Sequence, residues 1–139
     1  MITAVDSSVL WTVFNDEPDA LDWSRTLLDA SREGELTVCD VVFAEIAPAF
    51  DSRPQALDML QRLGIRFDPL NDDAAFHAGC VFKAYRQEGG PRTHMIPDFL
   101  IGSHALRQSD RLAAVDRGYL RRYLPKLKIL TPRQSGDLK

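Results

Sequence analysis

Short apolar runs alternate with longer stretches of helical period along this chain. The runs, several of them rich in β-branched residues, are too short for helices and are bounded by turn or capping residues, which favours strands. Strands that alternate with helices form a mainly parallel sheet covered by helices on both faces. The pattern therefore predicts an α/β sandwich with a central sheet of about five strands. The predicted strands are Ile2–Val5, Leu36–Cys39, Ile65–Phe67, Leu112–Val115 and Lys128–Leu130.

Helical periodicity predicts helices between the strands. A first, largely apolar helix follows the opening strand and carries Trp11 and Phe14. Pro97 favours a helix start, because a first helical residue needs no N–H donor. No repeat, low-complexity segment or long linker interrupts residues 1–139, so a single domain is expected. The further helices are predicted over roughly Asp19–Glu33, 56–63, 72–88 and 97–108.

Composition excludes several classes of protein. No apolar run approaches the roughly 20 residues of a membrane span, so no membrane association is expected. No basic segment followed by a long apolar stretch marks a signal peptide, which favours a soluble, cytoplasmic protein. Cys39 and Cys80 lack the short-spaced cysteine or histidine partners of a zinc site, so two buried free thiols are expected.

The charges are unevenly distributed along the chain. Residues 1–80 hold five Lys or Arg against fifteen Asp or Glu, whereas residues 81–139 hold twelve against five. Such a split suggests one surface for a polyanion beside an acidic cluster, and a solvated basic helix face is the alternative. The densest basic stretch consists of Arg107, Arg111, Arg117, Arg121, Arg122, Lys126, Lys128 and Arg133.

Four carboxylates lie among apolar residues: Asp6, Glu45, Asp98 and Asp116. Acids in such surroundings are costly to desolvate unless they are paired, protonated or bound to a cation. Ligand sites in parallel sheets form beyond the carboxyl ends of the strands, which is where Asp6, Asp40 and Asp116 fall. If the fold brings the four acids together, a divalent metal is the simplest way to keep them charged at neutral pH.

Each acid also has a structural interpretation. Asp6 could cap the next helix, Asp116 could form a turn, and Asp98 could stabilise a helix start through the helix dipole. Glu45 has apolar neighbours at four nearby positions, so it must be paired, extended to solvent or a ligand. The chemistry that joins all four is metal-assisted phosphodiester hydrolysis, in which a metal-bound water of lowered pKa attacks phosphorus.

The sequence resembles the PIN-domain ribonucleases, and in particular the VapC-type toxins of bacterial toxin–antitoxin pairs. The resemblance runs nearly end to end, and the segment around Asp98 is its most specific part. The matching segments are Val5-Asp6-Ser7-Ser8-Val9-Leu10, Val42-Phe43-Ala44-Glu45-Ile46, Ile96-Pro97-Asp98-Phe99-Leu100-Ile101-Gly102-Ser103-His104-Ala105 and Ala114-Val115-Asp116-Arg117-Gly118-Tyr119.

The resemblance implies a PIN-like α/β/α sandwich and a Mg²⁺-dependent endoribonuclease in which Mn²⁺ may substitute. Asp6, Glu45, Asp98 and Asp116 would be both the metal-binding and the catalytic residues, with Asp6 and Asp98 the direct ligands. Ser8 resembles the position that supports the first Asp by hydrogen bonding. Many relatives carry Thr or Ser two residues before the last Asp, where this chain has Ala114, so a supporting hydroxyl is missing.

The resemblance also implies partners. The substrate would be RNA (tRNA, rRNA or mRNA), held by the basic stretch together with Arg86 and Arg92. A cognate antitoxin would insert into a groove formed by the first helices, and the toxin would be a homodimer. The histidines are mutually distant in sequence, and for His104 and His94 structural roles are favoured over catalysis or RNA contact.

Two other functions compete with the nuclease. The first is a non-catalytic RNA-binding PIN-like module, for which Ala114 is the sequence hint. The second is a phosphoacceptor signalling domain, which would need an acidic pair near the N-terminus where this chain has Asp6 alone. Metal-dependent stabilisation would distinguish a working carboxylate site from a dead one.

Overall fold

Five short strands form one parallel sheet at the centre of the molecule. The structure is a computed structural model that describes residues 1–90, 96–115 and 118–132, apart from the side chain of Tyr119. The strand order is β3-β2-β1-β4-β5, and all four strand pairings are parallel. The strands are β1 (Thr3–Val5), β2 (Leu36–Val38), β3 (Ile65–Phe67), β4 (Arg111–Ala113) and β5 (Ile129–Leu130).

Helices cover both faces of this sheet. Because parallel crossovers are right-handed, the steps from β1 to β2 to β3 place the first four helices on one face. The connection from β3 to β4 runs in the opposite direction, so the fifth and sixth helices lie on the other face, where they pack against each other. The helices are α1 (Ser7–Phe14), α2 (Ala20–Glu33), α3 (Asp40–Ile46), α4 (Arg53–Arg62), α5 (Asp72–Gln87), α6 (Pro97–Gln108) and α7 (Gly118–Tyr123), with a 3₁₀ turn at Ala47–Ala49.

Sequence signals account for most helix ends. Asp6, Ser52 and Asn71 each cap a helix with a side-chain oxygen that accepts a backbone N–H, satisfying a donor that the first turn leaves unpaired. Pro97 is the first residue of α6, as predicted. Gly64 follows α4 with φ +71°, a left-handed conformation that residues with a Cβ rarely adopt.

The predicted α/β sandwich with a five-stranded parallel sheet is confirmed. The five predicted strands all form, with bounds that differ by two residues at most. The short helices α3 and α7 were not predicted, because α3 has seven residues and α7 has six, too few to show a helical period. No helix within the three described ranges combines the length and the apolar character that crossing a bilayer requires.

The central strand sets the position of the candidate site. All residues of β1 are buried, because β1 lies between β2 and β4 and is covered on both faces. Asp6 directly follows β1 at the carboxyl end of the sheet and is itself buried. We call this side of the sheet the carboxyl edge, and the opposite side, where Thr3 and Arg111 begin their strands, the amino edge.

Candidate active site

Asp6 is held at the carboxyl edge by both its backbone and its side chain. Its amide donates to the carbonyl of Ala113 at 2.9 Å, which continues the pairing of β1 with β4. Its side chain is only 4% exposed and accepts hydrogen bonds from the amide of Ser8, at 3.3 Å, and from the Ser8 hydroxyl. The capping interpretation of Asp6 is thus confirmed. The same contacts orient a buried carboxylate.

Ser8 connects this carboxylate to the end of β4. Its hydroxyl donates to Asp6 and accepts from the amide of Val115 at 3.5 Å. Ala114 is fully buried and offers no hydroxyl, as the sequence indicated. Ser8 therefore supplies a hydroxyl to the strand end that leads toward Asp116.

Glu45 joins the same region through a second serine. Its Oε1 accepts a hydrogen bond from the hydroxyl of Ser7 at 2.9 Å. Glu45 is exposed while Val42 and Ile46 on the same helix are buried, so the paired and solvent-extended interpretations of Glu45 agree with the structure. Sequence reasoning missed Ser7, whose partner lies 38 residues away. The position of Ser7, directly after the strand-end Asp6, was the sequence signal that could have identified it.

Asp98 and Asp116 complete the predicted quartet in sequence. Asp98 is half-buried in the first turn of α6, where the helix dipole favours a negative charge. The 12 residues of α6 span about 18 Å and lead into the amino end of β4, so Asp98 lies at the end of α6 away from the amino edge. Asp116 lies outside the described residues.

The donor set suits a hard divalent cation better than zinc. The predicted ligands are all carboxylates, which match Mg²⁺ or Mn²⁺. Cys39 ends β2 near this edge, but burial raises the pKa of its thiol to about 11, so it stays protonated at neutral pH. Within residues 1–90, 96–115 and 118–132, no three His, Cys, Asp or Glu side chains form a group that could hold a metal ion.

Cys80 differs from the prediction of two buried thiols. Cys39 is buried as expected, whereas Cys80 is exposed. The reason is its position on the outer face of α5, between the buried residues Ala78 and Val81.

Asp40 is the third strand-end acid, and it has a structural role. It is exposed in the first turn of α3, and its Oδ1 accepts the amide of Leu70 at 3.1 Å. This bond ties the start of α3 to the segment that follows β3. Asp40 is therefore not part of the candidate site.

The two described histidines make structural contacts. His104 is 1% exposed, and its Nε2 lies 2.9 Å from Oδ2 of Asp68. His77 Nδ1 lies 3.1 Å from the hydroxyl of Ser103, and burial lowers the pKa of the His77 imidazole. The structural interpretation of His104 is confirmed, and His94 lies outside the described residues.

Three residues of the basic stretch are paired with acids of the same chain. Arg107 makes a bidentate contact with Asp73 at 2.8 and 3.0 Å. Arg122 pairs at 3.0 Å with Glu88, which directly follows α5. Arg111 is at the amino edge, where it donates to Thr3 at 2.9 Å and to Glu33 at 3.1 Å. Arg111 therefore faces away from the candidate site, and the surface for a polyanion stays a prediction for the rest of the basic stretch. Arg92, Arg117 and Arg133 lie outside the described residues.

An aromatic cluster supports the start of α6. The rings of Tyr85, Phe99 and Tyr123 have centroids 5.5 Å apart in all three pairings. The hydroxyl of Tyr123 donates to Glu88 at 2.8 Å, and this bond raises the pKa of that hydroxyl. The cluster joins α5, α6 and α7 directly beside Asp98.

Several solved structures share this fold. A chain from the crystal structure of VapBC2 from Rickettsia felis, bound to a DNA fragment from its promoter, superposes with a TM-score of 0.72 at 18% identity, covering 96% of this chain and 100% of the other. A chain of VapBC-1 from nontypeable Haemophilus influenzae gives 0.70 at 18% identity, with 94% and 98% covered. One from DNA-bound VapBC of Salmonella typhimurium gives 0.61 at 18% identity, with the same coverage. A comparison with curated protein sequences gave no match.

A family comparison covers nearly the whole described chain. The model of the PIN domain matches residues 3–123, which include β1, the sheet's centre, every predicted site residue and α7. The match spans far more than half of the sequence and agrees with the parallel sheet and its carboxyl-edge acids. On this evidence the chain belongs to the PIN domain family.

Proposed function

We propose that this protein is the toxin of a VapBC-type toxin–antitoxin pair, a divalent-metal-dependent endoribonuclease that acts in the cytoplasm and is neutralised by a cognate antitoxin. Membership of the PIN domain family supports a nuclease, and the shared fold with chains of VapBC structures supports the toxin assignment. The observation that carries the proposal is the Ser8 hydroxyl, which joins the buried Asp6 carboxylate to the end of β4.

The proposed roles of the acids follow from their positions. Asp6 and Asp98 are the direct ligands of Mg²⁺ or Mn²⁺, and Glu45 and Asp116 complete the site directly or through water. When bound, the metal lowers the pKa of a water and neutralises charge on the phosphate oxygens. Ser8 keeps Asp6 in one orientation before the ion arrives, and Ser7 holds Glu45 close by.

RNA contact is assigned to cations outside the amino edge. Arg121 is exposed on α7, which follows the carboxyl end of β4, whereas Lys126 and Lys128 lead into the start of β5 at the amino edge and are not assigned this role. Together with Arg86, Arg121 would hold the phosphate backbone, with an affinity that falls as salt rises. The acid-paired Arg107 and Arg111 are not assigned this role.

The antitoxin is assigned to an apolar groove between α1, α2 and the end of α4. The groove has a volume of about 290 Å³ and is lined mainly by leucines, including Leu10, Leu28 and Leu63, with Arg62 at its rim. Leu28 is 52% exposed there, and an antitoxin segment with apolar side chains would cover it. Trp11 and Phe14 on α1 are half-buried, and the ring of Phe14 packs edge-to-face against both Trp11 and Phe50.

Cleavage assays with paired variants test the nuclease. Asp6→Asn and Asp98→Asn should each lower RNA cleavage in Mg²⁺ or Mn²⁺ by more than about 100-fold, because a supporting residue alone commonly gives 10–100-fold. Asn also caps helices, so Asp6→Asn should fold. Asp40→Asn is the matched control, a strand-end acid with a structural partner, and should keep its activity. Equal cleavage by wild type and the first two variants would refute the proposal.

The alternative function is a non-catalytic RNA-binding module. It is favoured by the buried Ala114, where a supporting hydroxyl is missing. Melting temperature against Mg²⁺ or Mn²⁺ concentration separates the two functions. A working site gains stability as the ion binds the folded state, whereas a dead site shows no metal-dependent rise.

A further inference from the structure

Helix α1 carries a tryptophan on the side that holds Glu45. Residues four apart lie on the same side of a helix, about 6 Å apart along its axis. Trp11 comes four residues after Ser7, whose hydroxyl donates to Oε1 of Glu45 at 2.9 Å. The indole therefore lies one helical turn from the contact that holds the exposed Glu45 carboxylate.

The indole of Trp11 is partly open to solvent. Trp11 is half-buried, and the ring of Phe14 packs against it almost perpendicularly, with the two centroids 6.2 Å apart. Within the described residues, the indole N–H of Trp11 has no hydrogen-bond partner and is not a buried atom. Trp11 thus offers a ring surface and a hydrogen-bond donor to a molecule bound at the carboxylates.

This side of α1 is separate from the apolar groove assigned to the antitoxin. On α1 the groove is lined by Leu10 and Val13. Two residues turn a helix by about 200°, so Val13 points away from the side that carries Trp11. A segment bound in the groove therefore does not need the indole, whereas a ligand bound at the carboxylates can reach it.

We propose that Trp11 stacks on an unpaired base of the RNA, beside the phosphodiester bond that is cut. The inference deepens the proposed nuclease function and rests on it. The acids and their metal contact the phosphate, and the aromatic part of each nucleotide is the base that extends from the backbone. Aromatic side chains bind single-stranded RNA by stacking on its bases, whatever the sequence, because every base has a π-face.

Stacking on Trp11 selects unpaired RNA as the substrate class. In a duplex each base is covered by its neighbours, and moving it out of the stack costs free energy. Single strands and loops present bases without that cost. Trp11 therefore binds and positions the substrate, and it takes no part in breaking the bond.

Fluorescence tests the contact directly, because the chain has two tryptophans. Trp23 is 3% exposed, so its emission is the internal control. In Mg²⁺, a short single-stranded oligoribonucleotide of mixed sequence should quench Trp23→Phe, in which Trp11 remains, and leave Trp11→Phe nearly unchanged. A matched oligomer without bases should quench neither protein. Emission is recorded immediately after mixing, before cleavage, and the anisotropy of a label on the oligomer reports binding.

The outcomes separate the stack from the nuclease. RNA that binds and is cleaved while Trp11 is not quenched would refute the stack and leave the nuclease standing. Quenching of Trp11 without any cleavage would support the stack and favour the RNA-binding module instead. A Trp11 emission that responds to an antitoxin but not to RNA would overturn the proposal.

Cleavage kinetics measure what the stack contributes. Trp11→Ala should raise KM for single-stranded RNA by about tenfold and change kcat little, since the stack binds substrate and transition state alike. Trp11→Phe keeps a smaller ring and should recover part of the loss. Phe76→Ala is the matched control, because it removes a ring that is 77% exposed on α5, on the other face of the sheet, and should keep the wild-type KM.

A change in the substrate distinguishes stacking from a folding defect. An RNA that lacks the base beside the cut should be cleaved by the wild type and by Trp11→Ala with the same KM, because the ring has no base to stack on. A folding defect would weaken cleavage of both RNAs. A tenfold difference that persists on the RNA without that base would contradict the proposal.

Discussion

The two edges of the sheet are held together by different chemistry. At the amino edge, long-range pairs of arginine and glutamate join the strands, as Arg111 does with Glu33 at 3.1 Å and Arg66 with Glu35 at 2.9 Å. At the carboxyl edge, short serine side chains contact the carboxylates of Asp6 and Glu45. The amino edge thus secures the fold, whereas the carboxyl edge orients the acids to which we assign the metal, at the edge where parallel sheets usually carry their sites.

Among changes that compare the two edges, removing the Ser8 hydroxyl is expected to have the largest effect. Ser8→Ala loses the contacts with Asp6 and Val115 together, and should lower RNA cleavage by about 10–100-fold. Ser8→Thr keeps a hydroxyl and should recover most of the rate. Initial cleavage rates at saturating Mg²⁺ measure the effect, with a melting curve to check folding. Full activity in Ser8→Ala would mean that the carboxyl edge needs no such support.

The matching change at the amino edge should affect stability instead. Arg111→Leu removes the donor to the buried Thr3 hydroxyl and should lower the free energy of unfolding by about 1–3 kcal/mol. Cleavage per folded molecule should not change, because Arg111 lies at the opposite edge. Urea denaturation and cleavage rates measure the two quantities. A loss of activity as large as that of Ser8→Ala would remove the distinction between the edges.

A smaller effect is expected at the outer end of the amino edge. Arg66 and Glu35 are both more than half exposed, so Arg66→Gln should cost less than about 1 kcal/mol of unfolding free energy. Added salt should reduce the difference in unfolding free energy between the wild type and Arg66→Gln, because it screens exposed charges. Denaturation at low and high salt measures this. A larger, salt-independent loss would mean that the pair is more than a surface contact.

The smallest effect is a pH dependence that belongs to neither edge. His77 lies between α5 and α6, and burial lowers the pKa of its imidazole below the ordinary 6.5. Arg107 lowers this pKa further, whereas Asp73 raises it. The unfolded chain therefore binds a proton more readily, so this group's contribution to stability is complete above pH 6.5 and is lost as the pH falls below it. His77→Gln should remove this slope, which unfolding free energies measured across that range would show.

The sequence predicted the fold well because its signals are local. Strand runs are bounded by turn residues, and Asn71, Gly64 and Pro97 act on the backbone next to them. The start of β4 was misplaced by one residue, because Arg111 is polar and does not extend the apolar run. In the structure Arg111 begins β4, and its side chain donates a hydrogen bond to the Thr3 hydroxyl. That partner lies 108 residues away.

The candidate site was predictable in its residue types and less so in its contacts. The resemblance pointed to the acids and to Ser8, but not to Ser7, whose bond to Glu45 depends on how α1 packs on α3. The sequence did not show which arginines of residues 81–139 form ion pairs, because their acidic partners are distant in the chain. Arg107 reaches back 34 residues to Asp73. Folding thus pairs Arg107 and Arg111 of the basic half with acids of the first half.

The pairing of β1 with β4 has a consequence for synthesis. Thr3 is paired with Arg111, so the central strand stays open on one side until most of the chain has been made. The hydrogen bonds of the Asp6 amide with Ala113 and of the Ser8 hydroxyl with Val115 likewise cannot form until those residues have been made. Contacts so distant in sequence form late in folding. We therefore expect a nascent or truncated chain that stops before β4 to lack the proposed nuclease activity.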